Sequence, residues 1–171
     1  MIKNLFVGTW FFCLMSVSTL AETKPATTNS TAFDWKTLVG PDLIDATGKK
    51  VEVSSLNGKY VGIYCSAIWC PPCRMFTPEL VKFANANKDK FAVVFYSADR
   101  SAAEMKKYMK EEKMPWVALP YQSKNLSPEV KKNFGGGIPA FVLFDPSGKQ
   151  IDKIVGYSAG WKDQVEEAIK K

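Results

Sequence analysis

The stretch IWCPPCRMFTPE, residues 68–79, limits what this 171-residue chain can fold into. Two prolines sit between Cys70 and Cys73; their φ is already set for a first helical turn, and neither has an N–H to donate. Before the pair, residues 60–65 (YVGIYC) are an apolar run of strand length. After it, Phe76, Leu80, Phe83 and Ala84 recur at i, i+4, i+7 and i+8, the inner face of a helix. Residues 91–97 (FAVVFYS) are a second apolar run, richer in β-branched and aromatic side chains. Continuous apolar strands suit the centre of a sheet covered on both faces. Strand, cysteine pair, helix and strand in that order predict a right-handed βαβ unit with the cysteines at its strand-to-helix junction.

Shorter signals flank this unit. Residues 42–44 and 50–53 read as two short strands around the turn ATGK at 46–49. Ser101-Ala102-Ala103-Glu104 fits a capping box, followed by a helix with Met105, Tyr108 and Met109 on its apolar side that ends before Pro115. A short helix is expected near 128–134. Residues 140–144 (AFVLF) and 150–155 flank DPSG at 145–148, a hairpin turn. A last helix carries Trp161, Val165, Ala168 and Ile169 on one face, and there is no internal repeat.

The first residues argue for export. Lys3 is a positive n-region, residues 5–15 (LFVGTWFFCLM) are an apolar run too short to span a bilayer, and small residues surround an expected cleavage after Ala21. Residues 1–21 are therefore read as a signal peptide, with an uncleaved N-terminal anchor as the alternative because Val17 and Leu20 extend the apolar character; 22–32 (ETKPATTNSTA) are read as a polar flexible leader and 33–171 as one domain. Removing residues 1–21 takes one lysine and no acid, leaving 22 basic against 17 acidic residues. The excess is spread along the chain with no dense basic run, which excludes a nucleic-acid patch.

The mature chain keeps Cys65, Cys70 and Cys73, and there is no histidine anywhere. Half of a zinc site would need two further ligands, and the chain has neither histidine nor a second CxxC. As a structural staple, a disulfide between Cys70 and Cys73 would close a loop too small to constrain the unfolded chain much. Redox exchange is the reading the location supports. At a helix N-terminus, unpaired N–H groups and the macrodipole favour a thiolate at Cys70, although the two prolines leave Cys73 as the first nearby donor. Helix geometry puts Cys70 at an exposed tip and Cys73 one turn lower and more enclosed, assigning attack to Cys70 and resolution to Cys73. Cys65, near the end of a buried strand, is read as an inert apolar thiol.

Trp69-Cys70-Pro71-Pro72-Cys73-Arg74, with Pro78 five residues on and Gly137-Ile138-Pro139 before a late strand, resembles the thioredoxin superfamily from about residue 38 to 170. Within it, WCPPCRMFTPEL, FYSADRS, KMPWVALPY and GGGIPAFVLFDPSGK are most similar to the tryparedoxin and nucleoredoxin group. The exported context and DLIDATGKKVEVSSLNGKYV are also similar to bacterial thiol-disulfide proteins of the TlpA and ResA kind. The resemblance implies an α/β fold with a central mixed β-sheet and helices on both faces. It implies that Pro139 is a cis-proline facing the cysteines, that Ile138 pairs with an incoming extended peptide, and that Trp69 lines the site rim. Trp116, in the loop with Met114 and Pro115, has equal claims to the substrate groove and to the core. Thioredoxins place a buried aspartate six residues before the first cysteine; here that position is Tyr64.

The expected function is an exported thiol-disulfide oxidoreductase, in the bacterial periplasm, that reduces protein disulfides as a monomer. It would need no cofactor or metal, and its partners would be disulfide-bearing client proteins and a membrane or soluble electron donor. The rival readings are a thioredoxin-fold binding or assembly module, and a disulfide oxidase or isomerase.

Overall fold

The computed structural model describes residues 32–155 and 160–170. The expected signal peptide, and the leader up to residue 31, lie outside the described residues.

Seven strands form one mixed sheet in the order β2-β1-β5-β4-β3-β6-β7. Within it, β3 (Tyr60–Ser66) pairs in parallel with β4 (Phe91–Ser97) and antiparallel with β6 (Ala140–Phe144). These are the three longest apolar strand runs among the described residues, and alternation along them feeds two cores. Tyr64, Phe91, Val93, Phe95, Phe141 and Leu143 face α2 (Pro71–Ala86), α3 (Ala102–Glu111) and α5 (Trp161–Lys170). Val61, Ile63, Val94, Val142 and Phe144 face α1 (Lys36–Val39), the 3-10 turn Val53–Leu56 and α4 (Pro128–Lys132). Helices thus cover both faces, as the sequence predicts. Among the described residues, no helix is long and apolar enough to cross a membrane.

The outer strands are shorter than expected. β1 is Leu43–Ile44 and β2 is Lys50–Val51, because the chain turns into the 3-10 segment at Val53. The turn between them repeats the turn between β6 and β7 (Gln150–Val155). In each, an aspartate Oδ1 accepts from the backbone and hydroxyl of a Thr or Ser two residues on, Asp45 with Thr47 and Asp145 with Ser147. Each turn closes at a glycine of positive φ, Gly48 at 89° and Gly148 at 79°. These bonds hold both carboxyls below the ordinary carboxylate range.

Besides the 3-10 turn, two elements are new relative to the sequence reading. α1 is a single turn, and β5 (Val117–Ala118) is a two-residue strand that joins β4 to β1. The capping box at Ser101 forms with a variation: Ser101 Oγ accepts from Glu104 N at 3.1 Å, while Glu104 reaches the N–H of Arg100.

Candidate active site

β3 ends at Ser66, and after three intervening residues Cys70 leads the chain into α2. Cys70 is the cap of that helix, extended at φ −96° and ψ 108°, and its Sγ accepts from Cys73 N at 3.3 Å. A sulfur takes the place that Ser or Asp fills at an ordinary N-cap. Pro71 and Pro72 open the helix. The two cysteines form a disulfide with Cα atoms 5.2 Å apart.

The disulfide is more enclosed than the sequence reading had it. Cys70 is 3% exposed and Cys73 fully buried, so Cys70 is not at an exposed tip. The reason is lateral: Ala67, Ala98 and Ile138 pack around the pair. The order of enclosure is as expected, with Cys73 the deeper.

The Ile138–Pro139 peptide bond is cis and follows Gly137 at φ 107°. Ile138 O lies 3.7 Å from Cys70 Sγ. The loop before β6 is thereby brought against the cysteine that opens α2.

Trp69 is 47% exposed and stands at the rim. Its Nε1 donates to Ala98 O at 3.2 Å, and the Arg100 guanidinium lies 5.8 Å from the ring centroid. The neighbouring Ile68 N–H donates to Asp99 Oδ1 at 2.7 Å, and Asp99 Oδ2 accepts from Ser97 Oγ at 2.7 Å. Ser97 at the end of β4 and residues 98–100 of the loop before α3 therefore clasp the segment that leads into Cys70. Burial pushes the Asp99 carboxyl up, against the hydrogen bonds that pull it down. In the sequence, FYSADRS carries only the resemblance and does not reveal this role; an acid just past the end of a central strand is the available signal.

On the α2 side of Trp69, a groove of about 500 Å³ is lined by Ile68, Trp69, Pro71, Arg74, Met75, Pro78 and Glu112. Met75 is 58% exposed there, and Arg74 Nε sits 3.8 Å from Glu112 Oε1. Trp116 is not part of it. Trp116 is buried and meets the Tyr64 ring edge-on at 6.4 Å, so its place is in the core, because Tyr64 and Ala118 draw the loop inward.

Behind Cys73 lies a set of buried hydroxyls that sequence reasoning reached only at Tyr64. Thr77 Oγ1 donates to Cys73 O at 2.9 Å and lies 2.8 Å from Tyr64 Oη and 2.6 Å from Tyr108 Oη. Tyr108 Oη in turn lies 3.0 Å from Ser66 Oγ. Burial raises both phenols above their ordinary range, Tyr64 well above it. A threonine and a tyrosine on otherwise apolar helix faces were the legible trace. Cys65 is the free cysteine among the described residues; it is buried, and desolvation raises its thiol to about 12. Among the described residues, no group of three or more His, Cys, Asp or Glu is placed to hold a metal ion.

A thioredoxin-type sheet with a CxxC disulfide at the start of α2 and a cis-proline against it defines a dithiol-disulfide redox protein of α/β class. A family model described as thioredoxin-like matches residues 57–150, and the chain belongs to that family. It is 41% identical over 120 residues to nucleoredoxin from Bos taurus, covering 68% of this chain and 27% of that one. This chain thus spans about a quarter of the length of the curated relatives it matches. Among solved structures, tryparedoxin from Trypanosoma brucei is 34% identical at a TM-score of 0.62, covering 77% of this chain and 89% of that one. A thiol:disulfide interchange protein from Bacteroides sp. is 30% identical at a TM-score of 0.62, covering 76% and 86%.

Proposed function

We propose that this chain is an exported reductase of protein disulfides, working through a Cys70/Cys73 dithiol-disulfide cycle. The observation that carries the reading is the disulfide at the N-terminus of α2, with Cys70 Sγ accepting from Cys73 N and lying against Ile138 O. In the reduced state the Cys70 thiolate attacks one sulfur of a client disulfide. A Cys70–client bond forms, the client bond breaks, and one client thiolate leaves. Cys73 then attacks Cys70 Sγ, closing the protein disulfide and releasing the second client sulfur as a thiol. Two electrons have passed to the client, and a membrane or soluble dithiol donor returns the protein to its reduced form. Ile138 offers backbone to an extended client strand beside the cysteine, and Trp69 walls the same opening. Export rests on the n-region, apolar run and small residues of positions 1–21.

The test is thiol-driven reduction of a protein disulfide by the chain from Glu22 onward. Wild type is expected to accelerate it, Cys70→Ser to abolish the acceleration, and Cys73→Ser to accumulate mixed disulfides with clients. Unchanged activity in Cys70→Ser refutes the cycle. Export is checked separately by N-terminal sequencing of protein made in a bacterial host: a start at Glu22 in the periplasmic fraction supports it, and an intact Met1 in the cytosol does not.

A further inference from the structure

The redox cycle leaves one feature beside Cys73 unused, the four buried hydroxyls of Ser66, Tyr64, Thr77 and Tyr108. Their hydrogen bonds converge on the carbonyl of Cys73, to which Thr77 Oγ1 donates at 2.9 Å and Tyr64 Oη at a longer 3.5 Å. A carbonyl can only accept, and the shorter of its two bonds takes the hydrogen of Thr77. In that arrangement Tyr108 donates to Thr77 Oγ1, and the Tyr64 hydrogen is shared between Thr77 Oγ1 at 2.8 Å and Cys73 O at 3.5 Å. With its hydrogen spent, Tyr108 accepts from Ser66. Hydrogens from β3 and α3 all run inward to a residue of α2 and end on the carbonyl of the deeper cysteine. Three elements are tied to one turn.

We infer that this set is a neutral positioning lock for the resolving cysteine: it fixes the turn that carries Cys73 and takes no proton from the Cys73 thiol. This rests on the dithiol cycle above. The position that carries an acid in thioredoxins carries the Tyr64 phenol, which burial keeps protonated. Thr77 Oγ1 already faces two phenols besides the carbonyl, and turning its hydrogen away would leave Cys73 O only the longer bond from Tyr64. The proton of Cys73 therefore leaves with the client. As Cys73 Sγ bonds to Cys70 Sγ, the Cys70–client bond breaks, and the departing client sulfur carries the proton away as a thiol.

The two chemical steps separate when reduced protein meets one equivalent of the aromatic disulfide 5,5′-dithiobis(2-nitrobenzoate). The first thionitrobenzoate reports attack by Cys70, and the second reports resolution by Cys73. Thr77→Val is expected to slow resolution at least tenfold and leave attack within twofold, with Thr77→Ser restoring the rate. Tyr108→Phe removes one of the two donors to Thr77 and is expected to slow resolution by a smaller factor; it decides the matter by the same readout if Thr77→Val does not fold. The pH midpoint of resolution is expected to be the same in Tyr64→Phe as in wild type. Unchanged resolution in the folded variants, equal slowing of both steps, or failure of Thr77→Ser to restore the rate overturns the lock. A midpoint that moves in Tyr64→Phe makes the phenol a proton acceptor and overturns it equally. A wild type that releases no first thionitrobenzoate refutes the dithiol cycle itself.

Discussion

Asp99 shows how one side chain sets the entrance to the site. Its carboxylate holds the Ile68 N–H and the Ser97 hydroxyl, and so holds the segment that presents Trp69 and Cys70. Burial raises its pKa, so the folded chain binds that proton more tightly than the unfolded chain, whose value is near 3.8. The contribution of this group to stability is full below 3.8 and is lost as pH rises through the higher folded value. Asp99→Asn keeps an acceptor for Ile68 and removes the buried charge. It is expected to be at least as stable as wild type at pH 7, with the advantage shrinking as pH falls towards 4 in urea melts. Asp99→Ala leaves two donors unpaired and should cost about 1–3 kcal/mol. A loss in Asp99→Asn as large as in Asp99→Ala would mean that the charge itself stabilises the loop. Cys65 is the contrasting case: it is no more buried than Cys70, but its thiol lies within a strand and is pushed up to about 12, so it should resist iodoacetamide in the folded reduced protein while Cys70, at the start of α2, reacts.

The elements that carry their own period were legible in the sequence. β3, β4 and β6 are long apolar runs, α2 and α3 repeat at helical spacing, and the two aspartate turns announce their hairpins. β5 was not legible, because two residues carry no period and it exists only through pairing with β4 and β1. Trp116 was undecided for the same reason, since the contact with Tyr64 that buries it spans the sheet. Cys70, Cys73, Ile138 and Pro139 come together as the motifs imply. The clasp at Asp99 and the hydroxyls behind Cys73 were hidden, because their partners lie 31 residues apart in both cases. Gly62 is another hidden constraint. In sequence it is one residue of an apolar run; in the sheet an added Cβ would overlap the Phe141 ring. Gly62→Ala should therefore destabilise the protein by roughly 1–3 kcal/mol through overpacking. A thermal melt at or above that of wild type would show that Phe141 can swing aside.

For the molecule as a whole, the balance between disulfide and dithiol decides the direction of electron flow. A thiolate at the start of α2 is stabilised by the helix dipole and by N–H donors. Pro71 and Pro72 supply no donor, Cys73 N–H bonds Cys70 Sγ at 3.3 Å, and no histidine in the chain adds a charge beside the pair. The reduced form therefore gains little, and the potential is expected nearer to about −270 mV, as in thioredoxin, than to about −120 mV, as in a strong oxidant. For a two-electron couple that gap is worth about 7 kcal/mol. A thermodynamic cycle passes this difference to folding, since a strong oxidant is one whose reduced form is the more stable. Here the oxidised chain is expected to unfold at a urea concentration no lower than the reduced chain, and a dithiothreitol redox series read by thiol alkylation should place the potential at the reducing end. A reduced form that outlasts the oxidised one in urea, together with a potential near the oxidising end, would reverse the direction of electron flow and turn the reductase into a disulfide donor.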